Sequence, residues 1–342
     1  MTAAGEVEGQ AALDAAPPLL DIRQLRTWFP IRQGLLRRVT GHVRAVDGVD
    51  LTVQRGTTHA LVGESGCGKT TVGRSILRLL SPSSGEVRFK GQDWLKLDGR
   101  QLRPLRQKVQ MVFQDPMTSL DPRLRVRELI AEGMDSFNIG HTAEERTARV
   151  GALLERVKLD PEHMWRYPHE FSGGQRQRIG LARALAVEPE LIICDEAVSA
   201  LDVSIQAQML NLLSDLQRDL KLTYLFITHD LSVVRYLADE VSVMYLGQIV
   251  EQGPTERIFR EPMHPYTQGL LAAIPSADPE RRSVRVKVLG DVPSPANPPS
   301  GCRFHTRCPF RMDRCSQQMP ELLPLPAGGA SRCFLTQPAA KE

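Results

Sequence analysis

No apolar run in the 342-residue chain approaches the ~18 residues that a membrane-crossing helix needs. That excludes spanning helices. A secretory start is missing too. The first eighteen residues carry Glu6, Glu8 and Asp14 among alanines and end in Pro17-Pro18, with neither a basic n-region nor an apolar core. Residues 1–20 read as a flexible leader, and the chain is expected in the cytoplasm, reaching any membrane only through a partner. Charge of one sign is scarce: the formal net charge is +3, too small to argue for a nucleic-acid partner, and none is expected. There is no internal repeat. Cysteine is sparse, six residues in all, and four of them crowd into the last forty or so positions. The remaining composition, 42% hydrophobic and 24% charged, is that of an ordinary soluble protein with room for one large or two medium domains.

What is present is a phosphate loop. Gly63, Glu64, Ser65, Gly66, Cys67, Gly68, Lys69 and Thr70 spell Gly-x-x-x-x-Gly-Lys-Thr. The run follows the apolar stretch Ala60-Leu61-Val62 and precedes a helix-like segment from Thr71 to Leu80, which is the strand–loop–helix context the motif requires. Its glycines let successive backbone N–H groups turn towards phosphate oxygens. Lys69 supplies a point charge, the Thr70 hydroxyl suits Mg²⁺, and the following helix start, with Thr71, adds its dipole. The chain is expected to bind a nucleoside triphosphate.

Two further strings carry chemistry. Leu191-Ile-Ile-Cys-Asp195-Glu196 is a buried apolar strand ending in two carboxylates, at the sheet edge where open α/β folds bind ligands. Asp195 suits Mg²⁺ and Glu196 suits polarising an attacking water. Ser172-Gly173-Gly174-Gln175, ahead of a helical run from Arg176 to Val187, is an N-capped helix start with exposed N–H groups, a second anion site. A single-site enzyme has no use for it; a dimer that sandwiches nucleotide does.

Around these motifs, the short β-like runs between residues 21 and 62, Ala60-Leu-Val included, suit a small antiparallel sheet. A basic insertion, Arg32 to Arg38, reads as an exposed hairpin or loop. Lys108 to Phe113 reads as a strand, followed by a Pro-rich turn from Asp115 to Pro122. Helical spacing prevails from about 124 to 187. Ser204 to Leu220 reads as an amphipathic helix, Thr223 to Thr228 as a buried strand, and Val241–Met244 with Gln248–Glu251 as a closing hairpin. After Gly253-Pro254 prolines become frequent, as in Pro293 to Pro299, and periodicity is lost, which places a boundary there.

Taken in order, these motifs resemble the nucleotide-binding subunits of ABC transporters over residues 21 to 253. Ser172-Gly-Gly-Gln is similar to the family's signature sequence, Asp195-Glu196 to its Walker B end, and Ser199-Ala-Leu-Asp202 to its D-loop. Gln114 matches the Q-loop glutamine and His229 the switch histidine; Phe171 stands where the family at large has Leu, a packing position. The resemblance implies an α/β P-loop NTPase (RecA-like) core with an antiparallel β subdomain and a helical signature subdomain at about 115–187. It also implies an irregular Cys-containing extension over 254–342. Glu196 is the implied general base, His229 a γ-phosphate contact, and Gln114 a contact to Mg²⁺ or the lytic water; Asp202 and Ser172 to Gln175 act across a dimer. An aromatic residue stacks on adenine, with Phe29 chosen by spacing and Trp28 next.

Tyr167 to Ile179, Phe29-Pro-Ile with its basic insertion, and Asp115 to Pro122 resemble one branch, the oligopeptide and dipeptide importers, in their F-type ATPase subunit. His264-Pro-Tyr266 and Gly301 to Pro309 resemble that branch's C-terminal extension. The implied partners are a second, D-type ATPase subunit, two transmembrane permeases and, indirectly, an extracytoplasmic solute-binding protein, with the chain peripheral on the cytoplasmic face. Similar importers carry peptides, nickel or glycosides. A repair-type ABC ATPase would place a long coiled coil between phosphate loop and signature, a translation factor would hold two cassettes, and a P-loop kinase has no use for Ser172-Gly-Gly-Gln or Asp202; none of these fits.

Cys302, Cys308, Cys315 and Cys333 lack the Cys-x2-Cys knuckle usual in structural zinc sites. Four thiolates can instead hold an iron–sulfur cluster, which tolerates irregular spacing. Related importers imply a 4Fe-4S cluster. Zinc and no metal stay open as alternatives.

Overall fold

The computed structural model describes residues 17–34, 37–115, 119–199, 201–274 and 288–337. Most of the expected leader, residues 1–16, lies outside the described residues, as do 35–36 of the basic insertion, 116–118 of the Pro-rich turn, Ala200 of the D-loop and 275–287 and 338–342 of the extension.

Two sheets organise the chain. The first has the order β2-β1-β4-β5, built from β1 (Leu20–Gln33), β2 (Arg38–Val53), β4 (Ser84–Phe89) and β5 (Gln92–Asp93), all antiparallel. The second runs β11-β12-β10-β9-β3-β8-β7-β6. Its parallel part comprises β9 (Glu240–Tyr245), β3 (Thr58–Val62), β8 (Thr223–Thr228), β7 (Leu191–Asp195) and β6 (Val109–Val112). Every residue of β3, β7 and β8 is buried, as befits central strands of mainly apolar sequence covered on both faces. β10 (Gln248–Pro254) closes onto β9 as the expected hairpin.

Ala60-Leu-Val departs from its expected place. It belongs to the centre of the parallel sheet and not to the antiparallel one, because its five-residue run is buried throughout rather than alternating. The basic insertion does sit at a hairpin, between two strands of 14 and 16 residues. Lys108 ends a helix rather than starting a strand. Helix α2 below, the paired strands β4 and β5, and two short strands from the extension had no clear signal. Those two, β11 (Leu323–Pro324) and β12 (Ala330–Ser331), add to the edge of the core sheet through β10.

Helices cover the sheet. α1 (Lys69–Ile76) follows the phosphate loop, and α2 (Gly99–Lys108) starts at an Asp98–Gln101 capping box. α3 (Val126–Phe137), α4 (Ala143–Arg156) and α5 (Gly173–Leu185) form the helical part. α6 (Val203–Leu220) and α7 (Leu231–Leu237) lead into and out of β8. One apolar cluster joins α3 to α6 with Ile192, Tyr224 and Phe226; another joins the antiparallel sheet to α1 and the opposite sheet face.

Phe226, on the central strand, is 1% exposed. Phe226→Ala is expected to cost ~3–5 kcal/mol of stability, the range for emptying a buried aromatic site. Chemical denaturation of the purified chain checks it; a loss below ~1 kcal/mol would contradict the packing described.

Candidate functional site

Parallel strands deliver the chemistry to one edge. β3 ends at Val62 beside Gly63, β7 ends at Asp195 beside Glu196, and β8 ends at Thr228 beside His229. This is the carboxyl edge of the sheet, where ligands bind in open α/β folds.

The phosphate loop is tightly constrained. At Gly63 and Gly68, φ is 155° and 111°, and a Cβ would stand 2.2 Å from the Met244 carbonyl oxygen and 2.0 Å from that of Ala45. Only glycine fits either place. Lys69 is buried, and its ammonium donates to the carbonyls of Gly63 at 2.7 Å and Glu64 at 3.0 Å. Cys67 is buried beneath the loop, and burial pushes its thiol pKa up.

Thr70 joins the loop to the carboxylate strand: its hydroxyl donates to Asp195 Oδ1 at 2.8 Å. Asp195 is 1% exposed, and desolvation raises its pKa. A divalent cation beside Thr70 and Asp195 would supply the charge that burial withholds, so these residues fit Mg²⁺.

Glu196 is the meeting point. Its backbone turns sharply out of β7 with φ at 47°, held by its N–H to the Ile227 carbonyl at 2.8 Å. One carboxylate oxygen accepts from Gln114 Nε2 at 2.8 Å; the other lies 3.2 Å from His229 Nδ1. Two residues from distant parts of the chain, 82 positions before it and 33 after it, thus converge on one carboxylate. Buried Gln177 of α5 donates to the Gln114 carbonyl at 3.2 Å, tying the signature helix to this cluster. The Ser199 hydroxyl donates to the Glu196 carbonyl at 2.9 Å, and Gln206 of α6 reaches Asp230, next to His229, at 3.2 Å. Ser199 opens the D-loop string, whereas Gln177 and Gln206 were not singled out by sequence; Gln177 follows the signature by two positions, and nothing in the string marks it.

Ser172 caps α5 through the Gln175 N–H at 3.3 Å, and Gln175 returns the bond to the Ser172 N–H at 3.0 Å. Gly174 packs close to Ile205 of α6. Asp202 stands at the start of α6, with Val203 beside it 82% exposed. Among the described residues, the hydrogen bonds between Ser172 and Gln175 stay within the helix cap, and Gly174 lies against α6; Ser172 and Gly173 are exposed, Gly174 and Gln175 half-buried.

The two candidate aromatic residues differ. Trp28 donates its indole N–H to Asp47 at 3.1 Å, and the Arg44 guanidinium lies 5.1 Å from its ring. Phe29, next along β1 and so on the other side of the strand, is 38% exposed.

All six cysteines are free thiols. Cys302, Cys308, Cys315 and Cys333 line one narrow cavity with His264, Phe304 and their neighbours. Burial raises the thiol pKa of Cys302 to about 11 and of Cys333 to about 12. Among the described residues no three His, Cys, Asp or Glu side chains are close enough to hold a metal ion. No helix among them is long and apolar enough to cross a membrane.

Residues 46–199 match the ABC transporter family and residues 250–315 the oligopeptide/dipeptide transporter C-terminal region. The chain is 53% identical to the oligopeptide transport ATP-binding protein AppF of Bacillus subtilis, over 89% of this chain and 93% of that protein. It is 50% identical to the probable peptide ABC transporter ATP-binding protein y4tS of Sinorhizobium fredii, over 94% and 91%. Among solved structures it resembles cbiO1 of Clostridium perfringens, part of the ABC transporter complex cbiONQ, with a TM-score of 0.61 at 27% identity over 72% of this chain and 92% of that one. The dimeric, post-hydrolysis cassette MJ0796 bound to ADP and Pi gives 0.61 at 25% identity over 69% and 98%. The chain belongs to the ABC transporter ATPases that carry the oligopeptide/dipeptide C-terminal region.

Proposed function

We propose that the chain is the ATP-hydrolysing subunit of a peptide importer, acting as half of an ATP-closed dimer with a second, D-type ATPase subunit. The observation that carries the catalytic part is the convergence of Gln114 and His229 on the Glu196 carboxylate. The names of the Bacillus and Sinorhizobium relatives support peptide as the solute, and the matched C-terminal region supports that branch.

In this reading residues 63–71 hold the triphosphate, and an aromatic residue of β1, Phe29 or Trp28, stacks on adenine. When bound between Thr70, Asp195 and Gln114, Mg²⁺ supplies Lewis-acid charge to the phosphates. Glu196 takes the proton of the attacking water, while His229 steadies the γ-phosphate end. Ser172 to Gln175 and Asp202 complete the site of the partner ATPase. Each nucleotide is then gripped from two sides; binding closes the dimer and cleavage opens it. The helical part carries that motion, through the Gln114 loop and Gln177, to two transmembrane permeases. The chain itself sits peripherally on the cytoplasmic face, and a solute-binding protein outside selects the cargo.

The four clustered thiols support a bound iron–sulfur cluster in the extension. Cys302, Cys308, Cys315 and Cys333 line the same cavity, and four thiolates are the ligand set such a cluster uses. A cluster would draw the buried thiols to thiolates and cross-link the extension.

Glu196→Gln is expected to keep ATP affinity and lose ~10²–10⁴ in turnover, the usual worth of a general base. ATPase assays of the variant reconstituted with its partners check this; a wild-type rate would refute the assignment. Lys69→Ala is expected to weaken ATP binding ~10- to 100-fold through loss of a charge-assisted bond, measured by fluorescence titration. For the thiols, the chain purified without oxygen is expected to be brown, with broad visible absorbance that any one Cys→Ser change removes. Colourless protein would rule the cluster out.

A further inference from the structure

The C-terminal extension reaches into the phosphate loop of its own chain. Both guanidinium nitrogens at the end of Arg307 donate to Glu64, at 2.8 Å and 3.1 Å, as a two-pronged pair. The Glu64 backbone N–H donates to the Tyr266 hydroxyl at 2.9 Å. The Glu64 carbonyl accepts from Lys69. Every polar group of this loop residue is therefore held, two of them by residues more than two hundred positions away. The grip is rigid. Tyr266 is fully buried and packs on Tyr245 and Phe304 at ring separations of 4.7 Å and 5.4 Å. Arg307 is 7% exposed and lies over the Tyr245 ring. Four residues earlier, buried Arg303 donates to Asp47 and to the Leu246 carbonyl, and Asp47 is the acceptor of the Trp28 indole N–H.

A carboxylate inside a phosphate loop is an electrostatic problem, since it repels the polyanion the loop must hold. We propose that Arg307, braced with Tyr266, is a positioning residue of the nucleotide site that neutralises Glu64 and fixes its backbone, so that the C-terminal extension sets the ATP affinity of its own phosphate loop. The proposal rests on the reading of residues 63–71 as the triphosphate site.

The sign of a double substitution tests it. In the full-length chain, with trinitrophenyl-ATP as probe and thermal unfolding as a check on folding, Arg307→Gln is expected to weaken binding about 5- to 20-fold, the range of a typical coupling between sites. Adding Glu64→Gln is expected to restore most of that affinity, because no unpaired carboxylate is left. A merely structural loss would persist or worsen in the double variant, and that result would overturn the proposal. Arg314→Gln is the control. Arg314 lies in the same extension but contacts Phe334, and its loss is expected to leave probe affinity unchanged. Equal weakening in Arg314→Gln would assign the effect to general loosening and overturn the proposal. If Lys69→Ala abolishes binding while Arg307→Gln does not alter it, the proposal fails and the site assignment stands; if neither alters it, the site assignment itself fails.

Discussion

A triphosphate has to be met by inward-turned backbone N–H groups and one ammonium at the end of a buried strand, and that demand governs the rest of the structure. It fixes glycine at positions 63 and 68, where neighbouring carbonyls leave no room for a Cβ. It requires β3 to be wholly buried, so that the loop springs from an immobile base. It also places β7 and β8 on one side of β3, since the carboxylates and the histidine must reach the same edge. The Thr70 to Asp195 bond is the first join between those strands, and the Glu196 cluster is the second.

Coupling between nucleotide and distant surfaces follows from how these joins are shared. Glu196 is bonded to Gln114, whose own carbonyl is held by the signature helix, and to His229, whose neighbour Asp230 is held by α6. Hydrogen bonds therefore link the surroundings of the carboxylate to α5 through Gln114 and to α6 through Asp230. The C-terminal extension makes further joins of its own. It clasps the phosphate loop at Glu64 and the β1–β2 ribbon at Asp47, and it pairs two strands onto the core sheet.

The phosphate loop, the Asp195-Glu196 strand end and the capped start of α5 were legible because each is a local string whose spacing is dictated by backbone geometry. The buried strands β7 and β8 were legible as unbroken apolar runs. Ala60-Leu-Val was misplaced because a three-residue apolar run carries no sign of which sheet it joins. α2 was obscured by its polar composition and by Pro104 within it. β11 and β12 are two residues each, too short for any period. The grip of Arg303 and Arg307 left no trace in the string, since pairings across some 250 positions depend on tertiary packing and show no local pattern. Four cysteines in one cavity follow from their crowding in the sequence, whereas the distances between them do not.

The most direct measurement is the ATPase rate of the purified chain, followed while the second ATPase subunit is titrated in and the association state is monitored by sedimentation. The proposed two-sided site, with Ser172 to Gln175 and Asp202 serving the partner, predicts that turnover rises with pairing and saturates when every chain has a partner. Full-speed hydrolysis by a dilute, monomeric chain would contradict a site built from two proteins.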